Sequence, residues 1–232
     1  MKKHLAALRF AFPHTLPVLS GYTVLGAAFG ILMTRQGISL LWIAFSSIFI
    51  YAGSMQFVAV ALLATGFDLT ETFVMTLMVN ARHLFYGISF IQKYKDMGKI
   101  KPYLIFSLTD ETFSLLCNAT PPADVSAKWF YFYISLLNHI YWVGGSVLGG
   151  ILGVLIDFWT NGLEFALTAL FIVIFTDQWR HAKNHVPALV GVSSAVICRI
   201  VFGASDFLIP SMAMILIVLT ALKKPLERRP VK

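Results

Sequence analysis

The stretch that decides the fold is an apolar run with a charge at its centre. It reads LTETFVMTLMVNARHLFYGISFIQ from Leu69 to Gln92, with Asn80, Arg82 and His83 in the middle. A cation at the centre of a bilayer costs about 2.5–3.5 kcal/mol on insertion scales, so it normally faces a protein interior or a watery cavity. We therefore predict a membrane helix whose Arg82 has polar partners on other helices. The alternative is that Arg82 lies near a membrane edge and extends to the headgroups.

Read as a helix, this stretch carries a polar stripe. Small and polar residues recur at the spacing that places them on one face: Thr76, Asn80, His83 and Gly87. We expect this face to contact other helices and the apolar residues between them to contact lipid.

The composition of the whole chain is that of an integral membrane protein. Of the 232 residues, 58% are hydrophobic and only 12% are charged, whereas soluble domains are about 45–50% apolar. The formal net charge is +7, which could suit nucleic acid. However, the basic residues lie in short interruptions between apolar runs and are not interleaved with aromatic residues on which bases could stack, which argues against a nucleic-acid partner. Cys117 and Cys198 lie inside apolar runs, without the spacing of a metal site or a disulfide framework. We expect neither a metal nor a cofactor.

Several apolar segments follow one another with no hydrophilic domain between them. A membrane span needs about 20 apolar residues, and we predict an all-α, polytopic helical bundle with about seven to eight transmembrane segments. It forms a single membrane domain over residues 1–232, with a cytoplasmic or interfacial N-terminus (1–14), a bundle (15–222) and a basic cytoplasmic tail (223–232). The segments are Thr15–Thr34, Leu40–Ala64, Leu69–Ile91, Tyr103–Cys117, Lys128–Ile156, Leu163–Trp179, Val186–Gly203 and Phe207–Leu222.

Basic clusters, which mark the cytoplasmic side, are separated by odd numbers of segments. Three apolar runs lie between the cluster at residues 2–9 and the cluster at 93–101, and three more precede Arg180. Either some segments are folded back or split, or two three-helix units are inverted relative to each other. Broken or re-entrant helices and inverted repeats are both features of secondary transporters. The long fifth segment should tilt strongly or break.

Glycines recur every four positions in two of the segments. They are Gly26 and Gly30 in the first, and Gly145, Gly149 and Gly153 in the fifth. This spacing lets two helix backbones approach closely in lipid. We expect it to serve packing within the chain; the alternative is a face for a second subunit.

Intramembrane polarity is concentrated in a few further places. Residues 52–56 read AGSMQ, residues 109–112 read TDET, and Asn138-His139 lies one helical turn before Trp142. Asp110 and Glu111 are about 100° apart around a helix, so only one can point at a given partner. The candidate binding residues are Gly53, Ser54, Gln56, Asn80, Arg82, His83, Tyr86, Asn138 and Trp142, and the candidates for proton coupling are Asp110 and Glu111.

Opposed charges on separate helices suit a zwitterion and a proton. Burial raises the pKa of a carboxyl group and a nearby cation lowers it, so a carboxylate that gains or loses Arg82 would release or take up a proton. An α-amino acid needs donors, from Arg82 or a helix break at Gly53, and an acceptor, from Asp110 or Glu111. An apolar wall would suit a branched aliphatic side chain, although the residues alone do not select that ligand.

Three segments carry a resemblance to a known family. FIYAGSMQF (49–57), VNARHLFYG (79–87) and LTDET (108–112) closely resemble the three signatures of the AzlC family, and the likeness continues through 138–153 and 163–175. The resemblance implies a branched-chain amino-acid permease of the bacterial cell inner (cytoplasmic) membrane, generally an exporter. It implies export of leucine, isoleucine, valine and often methionine with the proton gradient, and a small, very hydrophobic membrane partner of the AzlD type.

Two other classes of function are open at this stage. The first is a passive channel or pore subunit for small solutes, but a pore does not need opposed charges on separate helices. The second is an intramembrane hydrolase, with Ser54 and His139 or with the pair Asp110 and Asp177. The chain has neither a zinc-protease motif nor a nucleophile elbow, which argues against an enzyme.

Overall fold

The computed structural model describes residues 2–65, 68–155, 172, 175–176, 179–180 and 184–227. These residues form α-helices and one short 3₁₀-helix, Gly98–Ile100, and no strand, which confirms the predicted all-α class. The helices are α1 (Lys2–Arg35), α2 (Leu40–Phe49), α3 (Gly53–Thr65), α4 (Leu69–Phe90), α5 (Lys101–Phe106), α6 (Asp110–Asn118), α7 (Ala127–Leu155), α8 (Val186–Asp206) and α9 (Leu208–Glu227).

The chain divides into two compact units. The first is Met1–Leu167 and contains α1 to α7; the second is Thr168–Lys232, in which α8 packs against α9. Gly203 bends α8 with a φ of 81°. The segment predicted at Leu163–Trp179 lies almost entirely outside the described residues.

Two helices of the described part are long and apolar enough to cross a membrane. They cover His4–Arg35 and Val186–Gly203. Shorter apolar helices cover Leu40–Phe49, Gly53–Leu63 and Ala213–Leu222. The number of transmembrane segments stays a prediction.

Glycines bring α1 and α7 into close contact along their length. A Cβ atom on Gly26 would lie 2.8 Å from the amide nitrogen of Ser146, and one on Gly145 would lie 2.6 Å from the carbonyl oxygen of Tyr22. Gly30, Gly149 and Gly153 face the opposite helix in the same way, against Ser146, Ala27 and Thr34. The four-residue spacing therefore serves packing within the chain, as predicted.

The first and fifth predicted segments are each one continuous helix in the structure. The helix α1 begins at Lys2 and continues through Pro13 and Pro17, so residues 2–14 belong to the same helix as the first predicted segment. Side-chain hydroxyls bond to the backbone near both prolines: Thr15 Oγ1 donates to the Phe12 carbonyl at 2.8 Å, and Ser20 Oγ donates to the Pro17 carbonyl at 2.9 Å. The helix α7 is one unbroken element despite its glycines, because α1 packs against them.

Two other predicted segments are split, as the topology argument allowed. The Leu40–Ala64 segment is divided at residues 50–52, where Tyr51 has a φ of 44°. The Tyr103–Cys117 segment is divided at residues 107–109, where the Thr109 hydroxyl caps α6 by accepting from the Thr112 amide at 3.3 Å. The prediction of a single segment over Tyr103–Cys117 was therefore wrong. The two breaks place the first turns of α3 and α6 inside the unit.

Candidate functional site

The site is centred on Arg82 of α4, which connects the first turns of α3 and α6. Its Nη2 donates to Ser54 Oγ at 2.7 Å, and its Nη1 lies 2.5 Å from Oδ2 of Asp110. The Arg82 and Asp110 side chains are 31% and 19% exposed. The pair is therefore partly buried but still accessible to a small ligand. The sequence prediction that Arg82 meets a carboxylate from another helix is confirmed.

Asp110 has partners for both of its oxygens. Tyr86 lies one helical turn after Arg82, so both residues reach the same carboxylate from one face of α4. Its hydroxyl donates to Oδ1 of Asp110 at 2.8 Å, and its ring stacks on Phe113 with 4.4 Å between the centroids. The carboxylate is thereby held in one orientation at the start of α6.

The predicted polar face of α4 does point inward. Thr76, Asn80, His83 and Gly87 are all half-buried, whereas the adjacent face, less than about 100° further around the helix, is exposed and apolar. The exposed residues are Phe73, Leu77, Leu84 and Ile88. His83 Nδ1 lies 3.1 Å from the Asn80 carbonyl of its own helix. This contact stays within α4, unlike the contact of Arg82 with Asp110.

The two helix ends at the site differ in charge. A helix N-terminus carries a partial positive charge and free backbone N–H groups. The first turn of α6 contains Asp110 and Glu111, which offset that charge, whereas the first turn of α3 contains no acidic residue. Arg82 adds a full positive charge beside Ser54 in the first turn of α3. This side of the site is therefore suited to an anion.

Glu111 points to a different partner from its neighbour, as predicted for adjacent residues on a helix. The Tyr22 hydroxyl of α1 donates to Oε2 of Glu111 at 2.6 Å and lies 2.7 Å from Thr109 Oγ1. Sequence reasoning missed Tyr22 and Thr109. Thr109 carried a signal, because a threonine followed by acidic residues is typical of a helix start. Tyr22 carried none.

Trp142 and Gln56 close the break between α2 and α3. The indole Nε1 donates to Gln56 Oε1 at 3.0 Å, and the same oxygen accepts from the Ala52 amide at 3.2 Å. Gly53 lies against the indole, where a Cβ atom would come within 3.3 Å of the ring. These predicted binding residues therefore contact one another rather than the Arg82–Asp110 pair.

Asn138 belongs to the second break. Its buried amide donates to Thr112 Oγ1 at 3.0 Å, next to the capping hydroxyl of Thr109. Ser54 and His139, the pair of the hydrolase hypothesis, have other partners: Ser54 Oγ accepts from Arg82, and His139 Nδ1 lies 3.2 Å from the Tyr103 hydroxyl. Asp177 lies outside the described residues.

Comparisons with known proteins agree on one family. A family model described as AzlC protein matches residues 17–156, which include every candidate residue of the site. The chain is 50% identical over 223 residues to the branched-chain amino acid transport protein AzlC of Bacillus subtilis (strain 168), covering 96% of this chain and 88% of that relative. No solved structure matches the chain.

Two further relatives are named as membrane proteins. An uncharacterized membrane protein of Helicobacter pylori (strain ATCC 700392 / 26695) is 42% identical over 227 residues, or 98% of this chain and 100% of the relative. The inner membrane protein YgaZ of Escherichia coli (strain K12) is 31% identical over 193 residues, or 78% of each chain.

Proposed function

The chain belongs to the AzlC family, and we propose that it is a secondary transporter that exports branched-chain amino acids. Leucine, isoleucine and valine are the proposed substrates, with methionine as a further one. The relative from Bacillus subtilis, named for branched-chain amino acid transport, supports the substrate class. The observation that carries the proposal is the Arg82–Asp110 pair between the first turns of α3 and α6.

In this proposal the amino acid exchanges partners with the ion pair. Its carboxylate takes the place of Asp110 at Arg82, where the Ser54 hydroxyl and the first turn of α3 provide further donors. Its ammonium group then pairs with Asp110. Arg82 Nε is buried and has no hydrogen-bond partner among the described residues, so the guanidinium has a donor to spare for a second oxygen.

The apolar part of the substrate would lie against aromatic side chains. The ring of Tyr86 and the ring of Phe113 stack beside Asp110, and both are half-buried. An aliphatic side chain that covers these rings gains from the removal of apolar surface from water. A charged side chain in the same place would lose its hydration without a partner.

Proton coupling follows from the separation of the pair. When the substrate takes Arg82, Asp110 depends on the substrate ammonium and on Tyr86 for its stabilisation. After the substrate leaves, a carboxylate without its cation favours proton uptake. Glu111 is the second proton carrier in this proposal, since it is a carboxyl group beside the ion pair whose Oε2 accepts from a neutral group, the Tyr22 hydroxyl.

The cellular setting of the proposal comes from the family. The transporter works as a multi-pass protein of the bacterial inner membrane, together with a small hydrophobic subunit of the AzlD type. One relative is named as an inner membrane protein, and the three sequence motifs support the partner. The exposed apolar face of α4 is suited to a lipid bilayer.

Leucine counterflow in proteoliposomes tests the proposal. The protein is reconstituted with its small subunit, and exchange of labelled leucine is measured with and without a proton gradient. Wild-type protein should exchange leucine saturably, and a proton gradient should drive net flux. Arg82→Gln and Asp110→Asn should each abolish exchange, whereas Arg9→Gln, which removes an exposed cation from α1, should not. Unsaturated flux that ignores the gradient would instead identify a channel.

A further inference from the structure

A second titratable group lies where the two helix breaks meet, and the site above does not use it. His139 of α7 lies 3.2 Å from the Tyr103 hydroxyl through Nδ1. The Tyr51 ring, from the first break, is 4.2 Å from the imidazole between centroids, and the ring of Phe106, which precedes the second break, is 5.8 Å away. His139 therefore contacts both breaks at once.

The other side of the imidazole faces the end of α2. Nε2 is buried and has no hydrogen-bond partner among the described residues, and the backbone of Ser47 and Ile48 lies close to the ring. Both residues belong to the last turn of α2, and the C-terminal end of a helix carries a partial negative charge. A donor placed at Nε2 would point toward that charge.

The break frees the carbonyl groups that face His139. In a continuous helix, the amides of Tyr51 and Ala52 would donate to the carbonyls of Ser47 and Ile48. Here the Tyr51 amide donates to Ser46 at 3.4 Å, and the Ala52 amide donates to the Gln56 side chain at 3.2 Å. The two carbonyls are thus left to accept from another donor.

The backbone conformation of Tyr51 is a second observation at the contact between Tyr51 and His139. Its φ of 44° lies in the left-handed region, which costs a residue with a Cβ roughly 1–2 kcal/mol. Such outliers persist where the surrounding structure requires them, and they cluster at switch regions and binding sites. Here the conformation ends α2 and places an aromatic face on the imidazole.

We propose that His139 binds a proton at this junction and that the imidazolium joins the end of α2 to α5. This inference rests on the proposed function, in which the ion pair between the first turns of α3 and α6 separates when the substrate binds. A neutral imidazole has one N–H group, whereas the cation has two. The cation can donate to Tyr103 from Nδ1 and to the α2 carbonyls from Nε2 at the same time. Aromatic faces, such as that of Tyr51, also attract a cation.

The surroundings make the proton releasable. Among the described residues, the titratable groups in contact with His139 are Tyr103 from α5 and Tyr51 from the break, and the backbone of Ser47 and Ile48 of α2 lies near the ring. No carboxylate is among these contacts. Without a carboxylate partner, the imidazolium is held by partial charges alone. Loss of the proton leaves a single N–H, so Nδ1 accepts from the Tyr103 hydroxyl if Nε2 is to donate to α2. The attraction between the imidazolium charge and the C-terminal end of α2 is then lost, and this weakens the link between α2 and α5.

Histidine NMR of the full chain in nanodiscs tests proton binding directly. The His139 signal is assigned by its loss in His139→Gln, and it should titrate between about pH 5 and 8, where imidazole groups change charge. Tyr103→Phe removes the hydroxyl at Nδ1 and should shift the midpoint. His14→Gln, at an exposed histidine of α1, should leave the His139 titration unchanged. A His139 signal that stays constant over this range would overturn the inference.

Leucine counterflow at several pH values tests the consequence for transport. His139→Gln should retain exchange but lose the pH dependence of the wild type, whereas His14→Gln should keep it. An unchanged pH profile in His139→Gln would overturn the link to transport. Absence of leucine exchange in the wild type, with normal titration of His139, would refute the proposed substrate and leave the proton site in place.

Discussion

Substitution of Gly145 by Ala should force α1 and α7 apart, whereas the same change at Gly144 should not. A Cβ atom at Gly145 would lie 2.6 Å from the carbonyl oxygen of Tyr22, while ordinary contact begins near 3.4 Å. The obstacle is backbone, so α1 would have to move by about 0.8 Å, the difference between these distances. Overpacking of this kind typically costs about 1–3 kcal/mol.

Gly144 provides the matched control because it is the adjacent residue on the same helix. Apart from the neighbouring backbone of α7 itself, no atom of the described chain lies within 4 Å of a Cβ atom placed there, and Ala is favoured over Gly in a helix by roughly 0.5–1 kcal/mol. Thermal unfolding of the two variants in detergent, followed by the fraction that remains monodisperse, compares them. Gly145→Ala should unfold at a lower temperature than the wild type, and Gly144→Ala at the same or a higher one. Equal stability of the two variants would refute the packing argument.

Two further substitutions test the contacts around the breaks. Tyr22→Phe removes the hydroxyl that donates to Glu111, and the loss of a hydrogen bond to a charged group should lower the free energy of unfolding by about 1.5–3 kcal/mol; unchanged denaturant unfolding would contradict this. Trp142→Phe removes the indole donor to Gln56 and should cost about 0.5–1.5 kcal/mol, while the same change at the exposed Trp42 should leave thermal unfolding unaltered.

The sequence predicted the structure correctly where one residue type has a large free-energy cost unless a particular contact is made. A cation inside an apolar run must find a partner, whatever the rest of the fold, so Arg82 predicted both an inward face for α4 and a carboxylate opposite. The glycine spacing was informative for the same reason, because close backbone approach requires small residues at each turn.

The second break was missed because its signal is not hydrophobicity. The run Tyr103–Cys117 is apolar on both sides of Thr109, so its hydrophobicity alone predicts one segment. The cap at Thr109, with Asp110 and Glu111 in the first turn of α6, was visible in the sequence but was interpreted only as buried charge. A short polar motif such as this one has the same appearance whether it starts a new helix or places carboxylates inside a continuous one.

Other features depend on contacts that no local pattern records. Tyr22 is one aromatic residue in an apolar helix, and its partner Glu111 is 89 positions away. The continuation of α1 through Pro13 and Pro17 reverses the usual preference of proline, in a helix that packs against α7. Such residues become recognisable only when the distant elements are placed together.

The most direct test of the central claim compares the binding of leucine and leucinamide to wild-type protein and to Arg82→Gln. Leucinamide lacks the carboxylate, so the wild type should prefer leucine by about 1.5–3 kcal/mol, or roughly 10-fold to 150-fold. Arg82→Gln should bind both ligands weakly and with similar affinity. The double variant Arg82→Gln/Asp110→Asn, which leaves no unpaired carboxylate, should behave in the same way and controls for folding. Retention of the wild-type preference in both variants would contradict the assignment of Arg82 to the substrate carboxylate.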